Sequence, residues 1–270
     1  MKKNEAIKLG ILTSLTLLAY LPTLIWMVDR FSAKDSYYSH GFLVPLVSVF
    51  LVWKIREKLK KIKPQPSVLG WIFFLGGITI HVISALLRVY FTSGFSLLSV
   101  IVGLVLLFWG KAYLKALWFP IAFLIFMLPL PLVAIANLSF KLKVFAATVS
   151  TWMINALGVE AIREGSVIRT QHSYLMVEDP CSGIRSLIAL IALGTLMAYF
   201  LDATKIKKAA LFLVSIPIAI ASNVIRITAL SLVSEMYGSK FATGKFHDIM
   251  GILVFVFAFI GMSLFAKVLE

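Results

Sequence analysis

Three residues able to share one chemistry stand at the ends of apolar runs: Cys181, Arg226 and His247. Cys181 is the only cysteine in 270 residues. Asp179 before it reads as a helix N-cap and Pro180 as the first helical position, where a missing N–H is no loss. That reading puts the thiol in the first turn of a helix, where free N–H groups and the positive dipole end favour a thiolate. Arg185 then follows at i+4 on the same face. Arg226 lies late in SNVIRITAL, with Asn223 three residues earlier on the same helical face, and His247 opens the last apolar run in KFHDIMG. A cysteine nucleophile needs a stabilised thiolate, a proton partner and donors for a developing oxyanion. A helix start with nearby cations meets the first need. His247 meets the second near neutral pH, and the arginine fork of Arg226 meets the third. Each residue alone has a plainer reading: a small buried hydrophobe for the cysteine, a helix cap for the histidine, headgroup contacts for Arg226 and Arg185. Three helices bringing them to one level is what membrane stability does not ask for.

The elements that must position them are apolar helices. Hydrophobic residues make up 60% of the chain, with 21 phenylalanines and a mean hydropathy of +0.97, far outside the soluble range. Apolar runs reach the roughly 20 residues that a bilayer-crossing helix needs. The expected fold is an all-α polytopic membrane protein of about eight transmembrane helices, at 7–28, 41–53, 68–87, 95–109, 116–136, 182–201, 208–230 and 247–268. It forms one integral membrane domain over 1–270. The N-terminal apolar stretch reads as a retained first span, because it is longer than a signal-peptide core and lacks a small-x-small cleavage site.

The net charge of +14 sits mainly in the loops between these runs, which argues for membrane orientation and against nucleic acid as a partner. Lys2, Lys3 and Lys8, the 54–63 cluster, Lys111 and Lys115, Lys205 to Lys208, and Lys267 all fall on one side of an eight-span chain. Both termini are therefore expected inside, in the cytoplasm, with lipid on every flank. The longest outer segment, 137–180, reads as an amphipathic or re-entrant interfacial helix carrying Lys141 and Lys143, then a small β-hairpin with a Glu-Gly turn leading to Cys181. An interfacial helix there keeps the topology; a spanning one upsets it.

Other polar residues are weaker candidates. His40, in YSHG at the start of the second span, is the rival histidine or a substrate contact. Asp248 adjoins His247 in a helix, so their side chains diverge; Asn223 is the better residue to orient a partner. His81, inside the third span, reads as a hydrogen-bonded packing residue, while His172 and Glu178 are either surface or substrate-facing. With one cysteine there is no internal disulfide, and no Cys/His cluster has zinc spacing, so neither metal nor cofactor is expected. Nothing in the chain demands a partner subunit.

At these residues the sequence resembles the exosortase/archaeosortase superfamily of membrane cysteine transpeptidases. CSGIRSL, NVIRI and FHDIMG occur in the superfamily's order, joined by YSHGFLVP, FMLPLP and EGSVI, so the similarity runs from about Tyr38 almost to the C-terminus. Pro180 departs from the alanine common before the cysteine, a subfamily difference. The resemblance implies Cys181 as nucleophile, His247 as general acid/base and Arg226 as transition-state stabiliser. Arg185, Asn223, His40, Ser182 and Gly183 would support them or bind substrate. It also implies a C-terminal tripartite sorting signal of exported proteins as substrate: a short motif of Pro-Glu-Pro (PEP-CTERM) type, a hydrophobic helix and a basic tail. A thioester would be resolved by an amine or water at the extracytoplasmic face of the plasma membrane. The other functions the residues admit are a transporter or flippase, and a membrane acyltransferase using His247.

Overall fold

The structure, a computed structural model, describes residues 3–33, 36–177, 183–243 and 245–269. They form helices plus one small sheet, grouped into two compact units, Met1–Pro131 and Leu132–Glu270. Among the described residues, six helices are long and apolar enough to cross a membrane, and two shorter apolar helices accompany them. The chain is thus a polytopic, predominantly helical membrane protein.

Unit 1 contains α1 (Lys3–Ser32), a 3-10 turn (Ser39–Phe42), α2 (Leu43–Lys54), α3 (Arg56–Lys61), α4 (Leu69–Leu86), α5 (Tyr90–Phe108) and α6 (Lys111–Phe123). Without a hydrophobic force between helices in lipid, close packing and internal polar contacts hold such a unit together. Gly103 lets α5 touch the α4 backbone, since a Cβ there would meet the Phe74 nitrogen at 2.5 Å. The polar contacts centre on His81, which is 6% exposed. Its Nε2 faces the Ala19 carbonyl at 3.0 Å, an acceptor only, so Nε2 donates. Nδ1 must then accept from Ser93 Oγ at 2.7 Å, and Ser93 in turn accepts from Thr23 at 2.6 Å. Tyr20 stacks on the imidazole at 3.9 Å and reaches Ser96 with its hydroxyl at 2.7 Å. The chain Thr23–Ser93–His81–Ala19 joins α1, α4 and α5, as a packing histidine should.

The expected fifth span, 116–136, is divided. Helix α6 gives way to a 3-10 turn (Leu124–Met127), and α7 (Leu132–Ala156) begins only after Leu128-Pro129-Leu130-Pro131. Pro129 and Pro131 remove two helix donors and push the residues before them out of αR.

Unit 2 is built from α7, three strands, α8 (Ile184–Phe200), α9 (Lys205–Tyr237), α10 (Ser239–Thr243) and α11 (Lys245–Leu269). The region read as an interfacial helix is α7, which is 25 residues long and apolar enough to cross a membrane. It packs lengthwise on α9: Ser150 donates to the Val224 carbonyl at 3.2 Å, and Ala146, Ala147 and Ile154 are buried with Val224, Ile227 and Leu230. Alanine and serine at that seam let the helices approach. The expected hairpin is the pair β1 (Ala161–Glu164) and β2 (Val167–Thr170), turning at Gly165-Ser166, and a third strand, β3 (Tyr174–Met176), extends it. The sheet's inner residues Ile168, Leu175 and Val177 join the α7–α9 core.

Candidate active site

The described helix that follows the Cys181 segment opens on a glycine. Helix α8 begins at Ile184, capped by Gly183 in the left-handed region (φ +79°). The Gly183 carbonyl accepts from Leu187 N–H at 2.7 Å and Ser186 Oγ–H at 2.9 Å. Cys181 stands two residues before that cap in sequence and lies outside the described residues, as do Asp179 and Pro180, on which the first-turn reading rests. The described start is a cap that suits glycine. Its left-handed φ disfavours a Cβ, and a Cβ there would meet Asn223 Nδ2 at 2.6 Å and Cγ at 2.7 Å. Asn223, 4% exposed, thus forms the floor on which Gly183 sits. Glu178, Asp179, Pro180, Cys181 and Ser182 lie outside the described residues, as does the side chain of Asp248.

Arg226 sits one turn past Asn223 on α9 and is 8% exposed. Its Nη2 lies 2.9 Å from His247 Nε2 and 3.4 Å from the His247 carbonyl oxygen, at the start of α11. A guanidinium has no acceptor, so Arg226 donates and Nε2 accepts. Space for the guanidinium comes from Gly251, one turn along α11, whose Cα faces it; a Cβ there would lie 3.6 Å from Nη2. Sequence reasoning missed Gly251, although its i+4 spacing from His247 was a signal.

Arg226 and His247 line an open cavity of about 390 Å³ together with Arg185, Ser186, Gly251, Ile252, Val254 and Phe255. The Nε of Arg185 is buried there without a hydrogen-bond partner among the described residues. Two guanidinium groups with no described carboxylate in the wall make the cavity electropositive. That suits a thiolate or a developing oxyanion, because fixed donors act strongly where water is scarce. Among the described residues no group of three His, Cys, Asp or Glu could hold a metal ion.

The remaining histidines belong to other elements. His40 belongs to unit 1, in the 3-10 turn, with its ring 5.9 Å from Tyr38. His172, at the β2–β3 turn, donates from Nδ1 to Glu235 at 2.7 Å, and its N–H reaches the same carboxylate at 3.1 Å. Thr170 donates to that carboxylate too. Glu235 thereby ties the sheet to the end of α9. It was missed because the expected seventh span stopped at residue 230, although a lone acid at a span end was a visible signal.

A family model described as transmembrane exosortase (Exosortase_EpsH) matches residues 26–264. No curated protein and no solved structure matched the chain.

Proposed function

The chain belongs to the transmembrane exosortase family, and from that premise we propose that it is a membrane cysteine transpeptidase acting on the C-terminal sorting signal of exported proteins. The carrying observation is the Arg226–His247 contact in the wall of a cavity shared with Arg185, on the helix that follows the Cys181 segment. The distribution of lysines and arginines in the loops supports cytoplasmic termini and an extracytoplasmic site. A cleft there meets a peptide bond just outside a substrate's membrane helix.

In the proposed cycle the Cys181 thiol gives its proton to His247 and the sulfur bonds to the scissile carbonyl carbon. The carbonyl electron pair moves onto oxygen. A protonated imidazole no longer accepts a hydrogen bond, so proton transfer frees Arg226 Nη2 to stabilise that oxyanion. Collapse breaks the C–N bond, and His247 returns the proton to the leaving amine. The thioester is resolved when an acceptor amine or water gives a proton to His247 and bonds to the carbonyl carbon, and the C–S bond breaks as His247 returns that proton to the Cys181 sulfur. The resting Arg226–His247 bond is the ground state of this exchange.

Co-expression with an exported reporter bearing a tripartite tail tests the reading. Wild type is expected to truncate or extend the reporter, as read by intact mass, and Cys181→Ala to leave it whole while remaining folded. Equal products from both would remove the nucleophile assignment and favour a transport or acyl-transfer role.

A further inference from the structure

β3 pairs with β2 alone among the described residues, so it is an edge strand. Two bonds set the phase of its ladder: Val177 N–H to the Ser166 carbonyl at 3.0 Å, and Thr170 N–H to the Ser173 carbonyl at 2.9 Å. Bonded positions recur every second residue of an antiparallel ladder. Ser173, Leu175 and Val177 therefore turn their main-chain groups toward β2. Tyr174 and Met176 turn theirs to the open edge, where they meet no described partner. Both residues are exposed, at 62% and 52%, while Leu175 between them is 8% exposed and belongs to the core shared with α9. The strand is fixed on one side and offers donors and acceptors on the other.

An edge of this kind is a template for another extended chain, and natural proteins usually blunt it with lysine, proline or a bulge. Tyr-Leu-Met carries none of these. We propose that the open edge of β3 binds the substrate peptide as a fourth strand, an inference that rests on the peptidase reading above. Three observations favour a peptide as the occupant. Cys181 follows Val177 by four residues, within roughly 13 Å of extended chain. β3 packs on the half of α9 that carries Asn223 and Arg226. A scissile bond must also leave the substrate helix, and its main-chain groups then need partners near the membrane. Main-chain pairing supplies them, with side-chain selectivity at alternate positions.

The test places p-benzoylphenylalanine at position 174, 176 or, as control, 162, in the full Cys181→Ala chain. Each is co-expressed with the tail-bearing reporter that wild type processes. Ile162 is 69% exposed on the far edge strand, β1. The expected result is crosslinking from 174 and 176, but not 162, to reporter residues just outside its hydrophobic helix. In the active chain Met176→Pro removes an outward N–H at a position where an edge strand tolerates proline. It should raise KM by about five- to tenfold with kcat within about twofold, the effect of one lost hydrogen bond. Met176→Leu should retain the wild-type KM. Crosslinks to phospholipid alone, equal reporter crosslinking from 162, or an unchanged KM in Met176→Pro would overturn the proposal. Processing by Cys181→Ala would instead overturn the peptidase reading, and the crosslinks report on the edge in either case.

Discussion

His81 and His247 each sit among polar neighbours inside an apolar helical unit, and the difference between them separates structure from chemistry. His81 has both ring nitrogens committed, one to the Ala19 carbonyl and one to Ser93, with a tyrosine ring stacked on its face. Every proton in that chain has one assignable place, and a substrate finds no opening. His247 shares Nε2 with an arginine in the wall of a cavity, so its bond can be exchanged for another. A buried histidine with fixed partners holds helices together, whereas one held by a cation at a cavity is poised to change partners.

Substitutions in the two units should therefore separate activity from stability. Arg226→Ala is expected to have the largest effect, lowering processing by at least about a hundredfold, as when an oxyanion donor is removed. Arg226→Lys should fail to restore it, because an ammonium lacks the guanidinium fork. His247→Ala should follow, at about a hundredfold or more, with accumulated substrate read by quantitative blotting of the reporter. A folded His247→Ala chain that processes at the wild-type rate would dissolve the contrast with His81.

Gly183→Ala comes next. It forces a Cβ into the left-handed region and onto Asn223, so about 1–2 kcal/mol of destabilisation should accompany a clear loss of activity. His81→Leu should do the reverse. Unfolding in detergent should come earlier by on the order of 1 kcal/mol, with processing per folded molecule unchanged within about twofold. Gly251→Ala should have the smallest effect, because its new Cβ meets Arg226 Nη2 at an ordinary 3.6 Å. A severe loss there would show that the guanidinium must swing across Gly251.

Much of this was legible in the sequence because lipid simplifies the reading. Long apolar runs identified the helices, and an arginine and a histidine at the ends of different runs pointed to one level, where they meet at 2.9 Å. His81 was readable as packing because it lay in mid-span. What was not legible depends on distant contacts. The described helix opens at Gly183 in a left-handed cap seated against Asn223, a contact 40 residues away in sequence. Similarly, α7 reads as interfacial from its two lysines, and its packing along α9 through small residues was not legible. β3 has three residues and no alternation long enough to register, so only pairing with β2 defines it. Pairing across elements, not propensity, decided each of these.

The central claim is a covalent enzyme in which Arg226 and His247 serve one cysteine. The most direct measurement is intact-mass and peptide mapping of the purified chain after co-expression with the tail-bearing reporter, in wild type and in His247→Ala. The account predicts a reporter fragment attached at Cys181, released by hydroxylamine as a thioester is, and absent from Cys181→Ala. Processed reporter with no adduct on Cys181, or an adduct on another residue, would contradict it.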